Sequence, residues 1–222
     1  MRVRDYLGIG DRRQRQATLA MEVLIVVILA IGIVTGETGV IVNTGVGLLV
    51  TQLPALLERD YGIVLDPALT LWITAAVFLH AVGVIGLPWS DVNFYASVWW
   101  WDHVTHALSS SLVAAVGYTT VRALDRHSED IHIPPRFMFV FILMFVLAFG
   151  VAWEVLEFSI TLVADATGND TVLTQFGLDD TMLDLVFDTI GAVIVAVWGT
   201  AHLTDAVGYV EGWLDRRASE GP

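Results

Sequence analysis

Apolar residues in this chain fall in long runs that short polar segments interrupt. Residues 19–35 and 137–150 hold a single ionisable side chain between them, Glu22. Runs of that kind suit helices that cross a bilayer, which need roughly 20 residues each. Six spans are predicted, at residues 19–35, 39–57, 68–88, 103–123, 137–164 and 182–202. Turn and start signals separate them. Gly36-Glu37-Thr38-Gly39 divides the first two, Asp66-Pro67 opens the third with a cap residue and a proline, and Pro134-Pro135 precedes the fifth. The first span follows a basic stretch but lacks an A-x-A cleavage pattern, so it reads as an uncleaved helix. With no internal repeat and no long linker, residues 1–222 are expected to form one all-α, integral membrane domain.

Composition agrees. The chain is 55% hydrophobic and 16% charged, with a mean hydropathy of +0.68, whereas a soluble domain carries about a quarter charged residues. A disordered chain would be far poorer in Leu, Ile, Val and Phe. The absence of Cys excludes disulfides, thiolate nucleophiles, zinc–thiolate sites and iron–sulfur clusters.

Charge adds direction. All 11 cationic residues are Arg, against 24 Asp and Glu, for a net charge of −13. An excess of carboxylates without Lys is the bias of a proteome adapted to high salt, and it disfavours nucleic acid as a partner, since phosphate binding relies on clustered cations. Arg2, Arg4, Arg12, Arg13 and Arg15 precede the first span; Arg59 follows the second; Arg122, Arg126 and Arg136 follow the fourth; Arg216 and Arg217 follow the sixth. Six spans put every Arg on one side, which the positive-inside rule assigns to the cytoplasm. The protein is therefore expected in the cell membrane with both termini cytoplasmic. Trp99-Trp100-Trp101, with Trp89 and Tyr95, reads as an aromatic belt at the outer headgroup level.

Against this background the polar residues inside the spans stand out, because ionisable groups in hydrocarbon cost several kcal/mol and by default mark a functional site. Asp102 and His106 form an i, i+4 pair at the outer entry of the fourth span, with His103 beside them. Glu154 and Glu157 share one face of the fifth at i, i+3. Asp184 and Asp188 open the sixth at i, i+4, and Asp180 extends that stripe outward. His80 stands alone in the third. At 1.5 Å per residue, Glu157 lies about 10 Å and Glu154 about 15 Å below the outer end of their span, Asp188 about 9 Å and His106 about 5 Å below theirs, and His80 about 12 Å below Pro88. All fall in the outer half of the membrane.

Four carboxylates and an imidazole on facing helices are the donor set of a bundle-core site for a divalent ion, with zinc, manganese or iron fitting mixed O and N ligands. The expected ligands are His106, Glu154, Glu157, Asp184 and Asp188; Asp102 would orient His106 or act as general base; His80, His103 and Asp180 are accessory candidates. Plainer roles compete. Asp102 and Asp184 sit near helix N-termini, which favour acids, His103 could be interfacial, and His80 could simply donate to a neighbouring carbonyl. Ser109-Ser110-Ser111 reads as small residues that permit close helix packing.

Phe78-Leu79-His80, Trp101-Asp102-x-x-x-His106, Trp153-Glu154-x-x-Glu157-Phe158 and Asp184-x-x-x-Asp188-x-x-Gly191 follow one another in the order and spacing of the YjdF-like inner-membrane proteins. The chain resembles them over roughly residues 20–200, and more distantly the VanZ-like family. It departs from the YjdF-like pattern in a shorter, more acidic outer loop and in His103, where Arg is usual. The resemblance implies a polytopic membrane fold and these site positions, and no activity. Three functional classes follow from the cluster: a metal-dependent enzyme acting on a lipid or isoprenoid headgroup, a cation or proton transport protein, and a non-catalytic assembly protein whose polar pairs hold helices together. No ionisable residue lies between the cluster and the Arg-bearing loops in spans four to six, which disfavours a proton relay.

Overall fold

A computed structural model describes residues 10–86, 92–168, 171–173, 175–199 and 203–220. Arg2, Arg4, Trp89, Pro88 and His202, which entered the topology, aromatic belt and span boundaries above, lie outside the described residues. The described chain is all-α, with eight helices: α1 Asp11–Thr35, α2 Thr38–Tyr61, α3 Pro67–Val84, the short α4 Phe94–Ser97, α5 Trp101–His127, α6 Pro135–Thr167, α7 Leu178–Gly199 and α8 Thr204–Glu220.

Local chemistry explains the boundaries. Gly36 turns the chain between α1 and α2 in the left-handed conformation. Asp66 caps α3 by accepting from the Leu69 amide at 2.8 Å, with Pro67 as first helical residue. Pro135 opens α6 in the same position, where its missing N–H costs nothing.

Five helices, α1, α2, α3, α6 and α7, are long and apolar enough to cross a membrane. The fourth predicted span corresponds to α5, which at 27 residues is long enough but carries Asp102, His103, His106, Arg122, Asp125 and Arg126 among its apolar residues. The packing shows how so polar a helix is accommodated: α5 lies against α3, α6, α7 and α8 and buries Thr105, Ser110, Ser111, Ala114, Ala115, Gly117, Tyr118 and Ala123 among them. Apolar side chains instead cover the outside of the bundle, including Val34 (86% exposed), Leu49 (71%) and Val163 (62%). A surface of that kind belongs in lipid rather than in water.

Two apolar clusters organise the helices. Ile25, Ile28, Val40 and Ala81 join α1, α2 and α3. A larger set, with Ala114, Tyr118, Ile142, Val146, Ala192, Val195, Leu203 and Val207, joins α5, α6, α7 and α8. The second cluster sits beneath the polar residues of α5, α6 and α7 and fixes their spacing.

Candidate metal centre

Close approach of α5 and α7 builds the centre. A Cβ at Gly191 would run into the Ala107 carbonyl and the Ser110 hydroxyl across the interface, so only glycine lets the two backbones meet here. Ser110 and Ser111 are buried at this contact, as their small size suggested. One turn above it, α5 presents Asp102, His103 and His106 towards Asp184 and Asp188 of α7.

His106 is the hub. Its Nδ1 lies 3.3 Å from Asp188 Oδ1, while its Nε2 faces Asp102 Oδ1 at 3.6 Å and Asp184 Oδ1 at 3.9 Å. Asp102, His106 and Asp184 each offer one ligand atom, all within 4.8 Å of one another. His103 approaches from the same helix, its Nδ1 3.8 Å from Asp184 Oδ1 and its ring stacked on Phe187 at 4.6 Å. Among the described residues, the imidazoles of His103 and His106 are the only basic groups paired with these carboxylates.

The 3.3 Å contact with Asp188 is a hydrogen bond, but the separations of 3.6, 3.8 and 3.9 Å are too long for one, whereas two ligand atoms held about 2.1 Å from one tetrahedral ion stand about 3.4 Å apart. Asp184 is 1% exposed, and its Oδ1, His103 Nδ1 and Glu154 Oε1 are buried without any hydrogen-bond partner. Such groups are rare in folded proteins and each asks for a missing partner. Three of them, from α5, α6 and α7, are the observation that fits a cation to this site. Asp102, His106 and Asp184 could hold a divalent ion, with His103 in reach of the same Asp184 oxygen.

The remaining sequence candidates take different places. Asp188 contacts the other side of His106, and its Oδ2 sits where a Cβ at Gly150 would be; α6 therefore packs on Asp188 through a glycine. Glu154 is 5% exposed and accepts from the Thr181 hydroxyl at 2.8 Å, itself held by Gln175 Nε2 at 2.9 Å. Glu157 is half-buried and accepts from Trp153 Nε1 at 3.0 Å. Asp180 accepts from the Phe176 amide at 3.1 Å and shapes the loop before α7.

His80 belongs to a separate chain of hydrogen bonds. Burial pushes the Tyr95 phenol above its usual range, so its O–H stays in place and donates to His80 Nδ1 at 2.6 Å. His80 Nε2–H then donates to Asn43 Oδ1 at 3.0 Å. Asn43 Nδ2 donates to the carbonyls of Gly39 at 2.8 Å and Val172 at 2.7 Å. Both ring nitrogens of His80 are occupied, and the chain joins α2, α3 and α4 to Val172 in the segment between α6 and α7. Tyr95, Asn43, Thr181, Gln175 and Gly150 all bear on the site or its frame, and the sequence reading did not assign them there; Gly191 it had as the last position of the Asp184-x-x-x-Asp188-x-x-Gly191 motif. Neutral polar residues and glycines are common in membrane helices, so their spacing carried no signal.

An all-helical membrane protein with a buried Asp/His cluster is the class these observations define. Residues 17–205 match the family model described as Predicted membrane protein (DUF2238), and the chain belongs to that family. It is also similar to a protein of Thermotoga maritima that carries the name "Uncharacterized protein", with 32% identity over 130 residues. That match covers 57% of this chain and 58% of the relative's length. No solved structure matches the chain.

Proposed function

We propose that this protein is a metal-dependent membrane enzyme whose ion is held by Asp102, His106 and Asp184, and that it acts on a lipid or isoprenoid headgroup. The unpartnered buried atoms of Asp184, His103 and Glu154 carry this reading. The side chain of Asp184 is almost closed off, while that of Asp102 is 19% exposed, which gives the set one accessible flank. Trp99 and Trp100, exposed beside it, are the residue types that sit at headgroup level. Six crossings, with α5 as the sixth and all the Arg cytoplasmic, would place this flank in the outer leaflet. The ordered YjdF-like motifs coincide with the residues of the cluster.

In this reading the side chains divide the work by their positions around His106. His106 turns Nε2 to Asp102 and Asp184, and Nδ1 to Asp188. Asp188 is thus the residue that orients the imidazole, in the manner of carboxylates behind metal-binding histidines, and Asp102 joins the ligands. A bound divalent ion supplies Lewis acidity and a water that ionises near neutral pH. Glu157, which accepts from Trp153 Nε1 at 3.0 Å one turn from Glu154, is the carboxylate left as candidate proton acceptor. Elemental analysis of detergent-purified protein should find about one divalent ion per chain, lost in Asp184→Asn and His106→Ala. Metal-free protein whose melting temperature ignores chelators would overturn the reading and favour an assembly role.

A further inference from the structure

At the other end of α5 from His106, the last turn of α2 meets the C-terminal half of α8. Asp60, Tyr61, Gly62, Trp213, Arg216 and Arg217 line a cleft of about 530 Å³ there, within the size range of small-ligand sites. We infer that this cleft binds the phosphate group of an anionic ligand, with Arg216 and Arg217 as its recognition residues and an anionic phospholipid headgroup as the source the surroundings favour.

Charge pairing is the first support. Carboxylates outnumber Arg 24 to 11, and neighbouring cations have taken partners: Arg59 grips Asp60 through two hydrogen bonds of 2.7 and 3.0 Å, Arg122 pairs with Asp125, Arg126 lies 3.8 Å from Glu211, and His127 lies 2.6 Å from Asp215. Asp60, which lines the cleft, is thus already paired with Arg59, and Asp215, next to Arg216 in sequence, with His127. Among the described residues neither Arg216 nor Arg217 pairs with a carboxylate. Two adjacent guanidinium groups left unpaired in so acidic a chain call for an anion from outside.

Geometry is the second. Arg216 Nη2 donates to the Tyr61 carbonyl at 3.1 Å and passes 3.3 Å from where a Cβ of Gly62 would stand. This fixes the guanidinium while leaving four of its five N–H groups for a ligand. Arg217 lies over the Trp213 ring, 5.5 Å from its centre, and Trp213 meets Tyr61 edge to face at 5.8 Å. Planar guanidiniums held in place suit the paired oxygens of a phosphate.

The setting favours a lipid. Helix α8 is amphipathic, with Ala206 and Val207 buried in the bundle and charged residues on its other face. Trp and Tyr beside basic residues on such a helix mark the headgroup region.

The test titrates purified full-length protein with dioctanoyl-phosphatidylglycerol, dioctanoyl-phosphatidylcholine and inorganic phosphate, following the melting temperature. Phosphatidylglycerol should raise it at concentrations where phosphatidylcholine does not, and R216Q/R217Q should weaken that response about tenfold. Inorganic phosphate acting as well as the anionic lipid, and equally lost in the double variant, would keep the site and assign it to a soluble phosphate. A double variant that responds like the parent, or a parent that responds to neither anion, overturns the inference. Should the double variant fold poorly, R217Q alone is read, since it removes no hydrogen bond to the backbone. The site is independent of the metal reading, and either can fail without the other.

Discussion

His106 has two nitrogens and the structure gives them different neighbours, so the roles around it can be separated by substitution. Asp184→Asn removes one of the proposed ligands and should abolish metal binding. Asp188→Asn removes the residue that holds Nδ1 and should weaken binding about 10- to 100-fold, the range for partners of metal-binding histidines. Gly150→Ala should do the same indirectly, because its methyl group would take the place of Asp188 Oδ2. Competition against a fluorescent chelator measures all three; parent-like affinity in both Asp188→Asn and Gly150→Ala would return Asp188 to a packing role. Glu154→Gln is informative in the chelated protein. If the cluster is functional, neutralising a buried carboxylate relieves repulsion and the variant melts at or above the metal-free parent. A clear drop would mean that its bond from Thr181 ties α6 to α7 and little else.

Between elements, one contact decides whether the donors converge and a second braces the frame around them. Gly191 lets α7 meet the backbone of α5, which cannot rotate away as a side chain would. Gly191→Ala should therefore cost about 1–3 kcal/mol and lower metal affinity with it. The chain Tyr95–His80–Asn43–Val172 braces α2, α3 and the segment between α6 and α7 without touching Asp102, His106 or Asp184. Asn43→Ala leaves the His80 Nε2–H and the Val172 carbonyl unpaired, at about 1–3 kcal/mol, and should depress the melting temperature while metal content stays near one per chain. Loss of the ion in Asn43→Ala would show that His80 serves the metal after all.

For the molecule as a whole, the prediction is orientation. Tags fused to either terminus should be cytoplasmic, and reporters at Asp91 or Asn169, both outside the described residues, should face outward. An outward C-terminus would remove one crossing from the count, move the Arg-bearing loops apart, and separate the metal centre from the outer leaflet. The packing of α5 bears on this count, since Asp102, His103 and His106 turn towards α7 while Val104, Val116 and Leu124 stay exposed on its free face, so the helix can cross with a composition that hydropathy alone would reject.

How much could be read without coordinates follows from the range of the forces. Lipid solvates each helix separately, so apolar runs, Pro67 and Pro135 at helix starts and the turn at Gly36 are local and legible in the chain. Ionisable residues in those runs were legible for the same reason: each costs free energy wherever it sits in hydrocarbon, which singled out Asp102, His106, Glu154, Glu157, Asp184 and Asp188. Which of them meet is set by distances between helices that are distant in sequence. Only the α5–α7 contact through Gly191 gathers Asp102, His106 and Asp184, puts Asp188 behind the imidazole, and leaves Asp180 to shape a loop. His80 joined a different network because Tyr95 and Asn43 reached both its nitrogens, and Arg216 met Tyr61 because α8 folds back across the end of α2. Helix spacing within one element is a property of the sequence; the pairing of elements comes from packing, and packing decided which of these side chains meet.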